Sequence, residues 1–336
     1  MDFQGCDYSP SDIFSGVNSY FNKEKSDFSW GMNVISSSAY GMSSIQMKKN
    51  INSMAKVGGT SVIFVPLAYQ QNPSSNEIWI PNTAPTKDAL KDIINFSKSL
   101  GLKVGVKPHL NMFNGEPRNR INPDNFTVWA QNYRRYIIDF AEFSQSNDVD
   151  LFFIGTELQG VSSKNDFWTQ LVVDVRKLFK GRVTYSSNRL GEAKSISWWG
   201  ELDAIAVSFY EPLMSSSKQL LDSDNVESSW YYRGYVSDLY DLHYKWRLPI
   251  VFGEIGYYGR SDTLIEPAIE SKSSIDLGVQ AMSYRIAYKV LSSMDVVDSY
   301  FIWALDASSK SEAGGYSVFP TNNTVICTLK EFNIDR

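Results

Sequence analysis

The sequence is poor in the residues that build disulfide frameworks and metal centres. Its 336 residues include only two cysteines and two histidines. Cys6 and Cys327 lie near opposite ends of the chain, and no group of cysteines and histidines has the spacing of metal ligands. A disulfide-rich fold is therefore excluded. We expect two free thiols, although the two cysteines would be able to pair if the fold brought the termini together.

Charge of one sign and long apolar runs are also missing. The formal net charge is −5 with 21% charged residues and no long basic run, so neither nucleic acid nor an anionic membrane surface is indicated as a partner. No run of roughly 18 apolar residues is present to span a membrane. The segment MDFQGCDYSPSDIF lacks the features of a signal peptide, which leaves a cytoplasmic protein or a secreted enzyme trimmed of its leader. We expect a monomer.

The residues that are abundant predict one large core. Hydrophobic residues make up 43% of the chain and aromatic residues 14%, and α/β barrels of this length commonly form one domain. No linker rich in proline and glycine divides the sequence. We therefore expect residues 1–336 to form a single catalytic unit, with 1–29 as an N-terminal lead-in. The aromatic content fits either a sugar-stacking cleft or an aromatic-rich core.

Eight short apolar, β-branched or aromatic segments alternate with helical patterns. They are GMNVIS from Gly31, TSVIFVPL from Thr60, KVGVKPHL from Lys103, DLFFIGTEL from Asp150, RVTYSSN from Arg182, AIAVSFYEPL from Ala204, PIVFGEIGY from Pro249 and YFIWALDA from Tyr300. Such runs are typical of parallel strands buried on both faces. Amphipathic segments such as TKDALKDIINFSKSLG lie between them. This alternation predicts an α/β fold of the (β/α)8 barrel type.

Polar and aromatic residues follow the apolar part of these predicted strands. They are Lys107 and His109, Thr156 and Glu157, Ser187, Asn188 and Arg189, Tyr210 and Glu211, Glu254, and Trp303 and Asp306. In such barrels the catalytic groups gather at the carboxyl ends of the strands. Because side chains alternate along a strand, we expect the two glutamates and Trp303 to point into the barrel. The residues expected on the same face are Phe153 and Gly155 for Glu157, Ile250 and Phe252 for Glu254, and Phe301 for Trp303.

Two inward carboxylates at one barrel mouth suit the hydrolysis of a glycosidic bond. One acid protonates the leaving oxygen while the other attacks the sugar or activates water. An alternative is that the glutamates only form salt bridges, for example with Lys107 or Arg189. A phosphate-binding barrel is disfavoured because Glu254 would repel the anion, and a metal-dependent hydrolase because only His109 and His243 are available as imidazole ligands.

These residues resemble the clan A glycoside hydrolases, and within that clan glycoside hydrolase family 113, the endo-β-mannanase family. The likeness is carried by GTEL, SFYEPL and GEIGY on the fourth, sixth and seventh predicted strands and by Trp303 on the eighth. It runs from about Gly31 to the C-terminus and includes KVGVKPHLNM and GGYSVFP. The resemblance implies a retaining hydrolase of β-1,4-mannan, glucomannan or manno-oligosaccharides that needs no cofactor and no metal.

The resemblance also implies a role for individual residues. Glu157 would be the general acid/base, and Glu254 the nucleophile that forms a glycosyl-enzyme intermediate. Tyr210 would hydrogen-bond the nucleophile, and Trp303 would lie under the sugar at the cleavage point. Two carboxylates about 5–5.5 Å apart cannot both ionise freely, so we expect Glu157 to hold a proton near neutral pH. The candidates for hydrogen bonds to sugar hydroxyls are His109, Lys107 and Asn188.

Thr156 departs from the pattern of the clan. Many clan A enzymes have asparagine just before the acid/base, where its amide contacts the sugar 2-hydroxyl. A threonine at this position makes a shorter contact or none, which leaves the sugar open. A β-glucanase, a β-mannosidase or a hexosaminidase-like enzyme is therefore an alternative, and so is a catalytically inactive barrel that binds carbohydrate.

Two long segments between predicted elements are candidate walls of a substrate cleft. They are YQQNPSSNEIWIPNTAP after the second strand and NMFNGEPRNRINPDN after the third. The aromatic residues that are candidates for sugar platforms are Trp79, Phe113, Trp198 and Trp199. Each is equally compatible with ordinary packing.

Overall fold

The computed structural model describes residues 29–36, 38–216, 222–269, 271–306, 315–319 and 323–331. Its strands are β1 (Ser29–Ile35), β2 (Ser61–Phe64), β3 (Leu67–Gln70), β4 (Lys103–Val106), β5 (His109–Met112), β6 (Leu151–Thr156), β7 (Arg182–Asn188), β8 (Ile205–Phe209), β9 (Ile250–Ile255) and β10 (Val297–Asp306). Its helices are α1 (Ile45–Lys56), α2 (Lys87–Ser99), α3 (Phe126–Ser146), α4 (Asn165–Leu178), α5 (Arg189–Ser195), α6 (Ser223–Tyr232), α7 (Tyr235–Trp246), α8 (Leu277–Ser293) and α9 (Asn323–Glu331).

Eight parallel strands close into a barrel in the order β1-β10-β9-β8-β7-β6-β4-β2. Each of the eight predicted segments overlaps one of these strands, although β1 and β10 begin earlier than predicted. Helices follow the strands on the outside, so the predicted (β/α)8 barrel is confirmed. Of the predicted lead-in, 1–29, only Ser29 lies within the described residues, as the first residue of β1. The carboxyl ends of all eight strands meet at one mouth, where function is expected in this fold.

The helices begin and end where local chemistry favours it. The Thr86 side chain accepts a hydrogen bond from the Ala89 amide and caps α2, and Gly101 just beyond this helix has a φ of 78°. In α3, Trp129, Tyr133 and the apolar residues at helical spacing after them are buried. One face of each of these helices therefore packs on the barrel.

Apolar residues are buried in two separate layers. A small cluster fills the barrel interior, and its members are Ile63, Val65, Leu151, Phe153, Ala204, Ala206, Val251 and Phe301. A larger cluster lies between the strands and the surrounding helices. The interior cluster closes the barrel beneath the mouth, so the mouth is a depression with an apolar floor.

A short parallel sheet of β3 and β5 continues two barrel strands beyond the rim. Pro66 separates β2 from β3, and Pro108 separates β4 from β5, because proline has no N–H to donate to a ladder. The register pairs Leu67 with His109, and Leu67 packs against the interior cluster. The inner face of the barrel therefore extends past the rim along these two strands.

The prediction that Ile250, Phe252 and Glu254 share one face of β9 is wrong, because this strand contains a β-bulge. Consecutive residues of β8 pair with Phe252 and Glu254, so Gly253 is an extra residue. Ile250 and Phe252 pack outward in the layer under the helices, and the Phe252 ring lies 6.4 Å from that of Trp230 in α6. A bulge re-aims the side chains that follow it. Glu254 therefore does not share a face with Phe252.

The same correction applies to β6. Between Phe153 and Thr156 this strand has one residue more than β7. A Cβ on Gly155 would lie 2.9 Å from the ring of Tyr185 in the outer layer, so Gly155 does not share the inward face of Phe153. Alternation holds in β10, where Trp303 packs against the interior cluster as expected.

Two further findings concern membrane spans and thiols. No helix within the described ranges has the length and apolarity needed to cross a bilayer.

Cys327 on α9 is disulfide-bonded, which corrects the expectation that it is a free thiol. Cys6 lies outside the described residues.

Candidate active site

Glu254, near the end of β9, is 3% exposed and is held by three side chains. Lys107 Nζ donates to Oε1 at 2.7 Å, Tyr210 donates its hydroxyl hydrogen to Oε2 at 3.0 Å, and His109 Nε2 lies 3.3 Å from Oε1. Burial by itself raises the pKa of a carboxyl group, but Lys107 and His109 outweigh it and hold the pKa of Glu254 well below its usual range. Glu254 is therefore an anion at neutral pH.

Lys107 is fully buried beneath the mouth. Its Nζ also donates to the Gly253 carbonyl at 3.0 Å and lies 5.4 Å from the centre of the Trp303 ring. Burial lowers the pKa of Lys107, and the charge of Glu254 opposes that effect. Glu254 therefore does form a salt bridge with Lys107, as the alternative interpretation predicted. This salt bridge lies inside the mouth, where it keeps the acid ionised. Arg189 pairs with a different acid, Glu266.

His109 is a neutral, fixed imidazole. Arg118 Nη1 lies 2.8 Å from Nδ1 and can only donate, so the ring hydrogen is on Nε2, which faces Glu254. Burial, followed by the charge of Arg118, lowers the pKa of His109 to about 3. The ring stacks on Trp303 with centroids 5.6 Å apart and planes at 8°. Within the described ranges, no cluster of three or more His, Cys, Asp or Glu residues is arranged to hold a metal ion.

Glu157 directly follows β6, with a φ of 57° and its amide bonded to the Ser186 carbonyl at 2.8 Å. Its side chain is 19% exposed, and Arg118 Nη1 lies 3.8 Å from Oε2. Burial and then the negative charge of Glu254 raise the pKa of Glu157 to about 7. The two acids therefore differ in charge near neutral pH, since Glu254 is ionised while much of Glu157 is protonated.

Arg118 is the residue of this site that sequence reasoning missed. It lies in a short 3-10 turn of the long segment after β5, and its Nη2 donates to Asn111 Oδ1 at 2.8 Å. One guanidinium thus contacts His109, lies beside Glu157 and adds positive charge to the mouth. The sequence of such a loop has no helical or strand periodicity from which the position of Arg118 could be predicted. Asn111 could have been predicted from the sequence, because it lies two residues after His109 and so on the same face of the strand.

Thr156 and Asn188 lie beside Glu157. Thr156 is 2% exposed, and its hydroxyl has no hydrogen-bond partner among the described residues. Asn188 ends β7 and donates its side-chain N–H to Gln159 Oε1 at 3.0 Å, in the segment that follows the acid. Tyr210 and Trp303 complete the set, and all eight residues predicted for the site lie at the same end of the barrel.

The four aromatic candidates for sugar platforms separate into two groups. Trp198 and Trp199 are buried, and Trp198 stacks on Trp168 at 5.1 Å and 9°, so both are packing residues. Trp79 and Phe113 lie in contact at the rim with ring centroids 6.1 Å apart, and Phe113 is 66% exposed. Only this second pair is accessible to a ligand.

The opposite end of the barrel contains a charged cavity that does not compete with this site. Lys103, Asp150, Arg182 and Asp298 are among the residues that line it. Arg182 bonds Asp298 at 3.1 Å, and Asp150 accepts the Val104 amide at 2.8 Å. Asp150, Arg182 and Asp298 are used in holding strands together, and none of these residues approaches the two glutamates at the mouth.

Comparisons with known proteins identify the family of this chain and show solved structures with the same fold. The model of Glycoside Hydrolase Family 113 matches residues 28–317. A solved GH113 β-1,4-mannanase has a TM-score of 0.80 at 23% identity and covers 92% of this chain and 99% of its own. A GH113 β-mannanase from Alicyclobacillus acidocaldarius has a TM-score of 0.78 at 20% identity over 91% and 97%.

A family 5 xyloglucanase from Paenibacillus pabuli is more distant, with a TM-score of 0.58 at 14% identity over 90% of this chain and 98% of its own. No curated protein sequence matches significantly. At these identities the solved structures support the barrel fold alone, whereas the family model spans most of the chain.

Proposed function

The chain belongs to glycoside hydrolase family 113 and is a glycoside hydrolase, and we propose that it cleaves β-1,4-mannosidic bonds in mannan, glucomannan or manno-oligosaccharides with retention of configuration. The GH113 structures compared above are a β-1,4-mannanase and a β-mannanase, which supports the choice of sugar. The observation that carries the proposal is that, within one barrel mouth, Glu254 is ionised while much of Glu157 is protonated near neutral pH. Residues 1–336 would serve as one catalytic unit.

In the first step, Glu254 attacks the anomeric carbon while Glu157 gives its proton to the departing glycosidic oxygen. A bond forms between a Glu254 oxygen and the sugar, and the bond to the leaving chain breaks. Lys107 and Tyr210 support the nucleophile role of Glu254, because their hydrogen bonds keep it ionised and fix its orientation.

In the second step, Glu157 is a carboxylate and removes a proton from the water that attacks the same carbon. The ester bond to Glu254 breaks, and two inversions restore the β configuration. Because esterified Glu254 is neutral, the charge that raises the pKa of Glu157 is gone at this stage. The change favours Glu157 as an acid before the intermediate forms and as a base afterwards.

The remaining residues of the mouth are proposed to bind the sugar at the cleavage point. Trp303 presents an aromatic face fixed by stacking on His109. The buried, unpartnered hydroxyl of Thr156 is available for a sugar hydroxyl next to the acid. The side-chain amide of Asn188 would contact a further hydroxyl. His109 acts through Glu254 and Trp303, since it is buried and both of its ring nitrogens face protein groups. Lys107 acts through Glu254, since it has no exposed surface.

The proposal is tested by measuring reducing ends released by the full chain from β-mannan, glucomannan, manno-oligosaccharides, β-glucan and aryl β-mannosides. We expect release from the mannose-containing substrates, with the β anomer formed first by proton NMR. Glu254→Ala and Glu157→Ala should each lower activity by about 10²–10⁴-fold, because each removes one half of the carboxylate pair. Azide should restore turnover of an activated aryl glycoside by Glu157→Ala and give a β-glycosyl azide.

Glu142→Ala is the matched control, since Glu142 is an exposed acid on α3. It should leave every rate unchanged. Formation of the α anomer first would contradict retention, and preference for β-glucan would contradict the sugar. Binding of these glycans without release of reducing ends would indicate a carbohydrate-binding barrel instead.

A further inference from the structure

The backbone at Glu157 has an unusual conformation that neighbouring groups must hold. Its φ of 57° lies in the left-handed region, which a side chain with a Cβ rarely adopts. Two hydrogen bonds flank it. The Glu157 amide donates to the Ser186 carbonyl at 2.8 Å, and the next amide, of Leu158, donates to the Tyr185 hydroxyl oxygen at 2.7 Å. Both acceptors belong to β7.

Tyr185 in turn donates its hydroxyl hydrogen to a buried carboxylate. Glu192 on α5 has no exposed surface, and its Oε1 accepts from Tyr185 at 2.7 Å. Its Oε2 accepts from the amide of Asn188 at 2.5 Å. Among the described residues Glu192 forms no ion pair with Lys, Arg or His, although a buried carboxylate is costly without such a partner. Burial raises its pKa.

We propose that Tyr185 and Glu192 are positioning residues that aim the Glu157 carboxyl group at the glycosidic oxygen. Glu192 accepts the hydroxyl hydrogen of Tyr185 and so orients this hydroxyl. A lone pair of the Tyr185 oxygen is then directed at the Leu158 amide, which fixes the peptide bond that follows Glu157. The same carboxylate fixes Asn188 through its amide. Neither residue touches the substrate, and the inference rests on the proposed role of Glu157.

A purely structural role for Tyr185 is the competing explanation. Its ring packs against Trp168 and Trp198, each with centroids 5.2 Å away. Tyr185→Phe keeps these ring contacts and removes only the hydroxyl, so it separates packing from positioning. The Leu158 amide then has no acceptor in a buried site, and the segment carrying Glu157 is free to shift. A shift of about 1 Å in a catalytic group is able to lower a rate by about 10²-fold.

The test compares two substrates that differ in their need for an acid. A manno-oligosaccharide has a poor leaving group that must be protonated, whereas a dinitrophenyl β-manno-oligosaccharide leaves without a proton. For Tyr185→Phe we expect kcat/KM to fall about 10–100-fold with the first substrate and less than about threefold with the second. Glu192→Gln should show the same selectivity, because an amide cannot accept both hydrogen bonds. An equal loss with both substrates would overturn the proposal in favour of general structural damage.

A second measurement does not depend on activity. Hydrogen exchange of the Leu158 amide should be faster in Tyr185→Phe than in wild type, while amides of α8 keep their protection. Unchanged exchange at Leu158 would overturn the inference even if rates fall. Tyr240→Phe is the control, since that hydroxyl bonds Asp295 at the opposite end of the barrel. If wild type cleaves neither substrate, the proposed function fails, and the exchange result still decides whether Tyr185 holds the backbone.

Discussion

The buried pair of Lys107 and Glu254 sets the charge of the proposed nucleophile. Lys107→Met keeps an unbranched side chain of similar length but leaves Glu254 buried without its cation. The pKa of Glu254 then rises, because the largest of the effects that oppose burial, the charge of Lys107, is removed. Removing one partner of a buried pair also destabilises a fold by about 3–5 kcal/mol. Lys107→Met should therefore be less stable and have a different pH dependence.

The pH dependence of kcat/KM gives the sign of this effect. Activity needs Glu254 ionised and Glu157 protonated, so wild type should be active from acidic pH up to about 7, the pKa of Glu157. The charge of Lys107 lowers the pKa of both acids. Lys107→Met should therefore move the acid limb and the basic limb to higher pH, and rate profiles over roughly pH 3–9 measure both limbs.

Lys103→Met is the matched control, since Lys103 begins β4, the strand that Lys107 directly follows, and is exposed at the opposite end of the barrel. Its profile should equal that of wild type. Glu157→Gln should abolish the basic limb. If the acid limb of Lys107→Met stays where wild type has it, Lys107 does not control the ionisation of Glu254, and the charge assignment is wrong.

The strand residues of the site were predictable, whereas its loop residue was not. Glu157, Glu254 and His109 stand at the ends of apolar runs, and a run of this kind predicts its own carboxyl end. Arg118 stands in a segment without periodicity, and its place beside Glu157 depends on how that loop folds. Likewise, the pairing of Lys107 with Glu254 joins residues far apart in sequence, so the spacing of motifs did not distinguish it from a sugar contact.

At the scale of strands, the glycine before each glutamate marks a bulge. Gly253 is the extra residue of β9, and a Cβ there would lie 2.6 Å from Ser186 Oγ and 3.3 Å from the Phe153 ring. The strands themselves were predicted from continuous apolar character, but simple alternation gave the wrong faces for β6 and β9. The bulge depends on pairing with neighbouring strands, and a single sequence does not contain that register.

Gly253→Ala should therefore destabilise the barrel and displace Glu254. Overpacking of a tight site costs about 1–3 kcal/mol, and the added methyl group presses on the floor of the mouth. We expect a lower midpoint in urea denaturation together with a loss of kcat. Gly191→Ala is the control, because no atom lies within 4 Å of its added Cβ and alanine favours the helix by about 0.5–1 kcal/mol. If both variants have equal stability and activity, the bulge does not need glycine.

At the scale of the whole molecule, the inner wall of the barrel continues beyond the rim into an aromatic surface. The rim cluster consists of Tyr69, Trp79 and Phe113, with ring centroids 6.1–6.5 Å apart. Phe113 lies four residues past His109, about 13 Å farther along the strand direction. The eight strands of the barrel followed from the sequence, but the β3–β5 extension that carries this cluster did not, because the predicted second and third strands stop at Leu67 and Leu110.

The sequence-based prediction that Trp79 and Phe113 bind sugar can be tested through chain length. A glycan that occupies the cleavage point and extends along this wall would reach the rim cluster only if it is long. Phe113→Ala should therefore raise KM for mannan and long manno-oligosaccharides by about two- to tenfold, the equivalent of about 0.5–1.5 kcal/mol for one aromatic contact. KM for a short aryl glycoside and kcat for either substrate should not change. Tyr244→Ala removes another exposed ring, on α7, and should have no effect. Equal changes in KM for long and short substrates would show that Phe113 supports the fold of the rim, and that the glycan leaves the mouth along another wall.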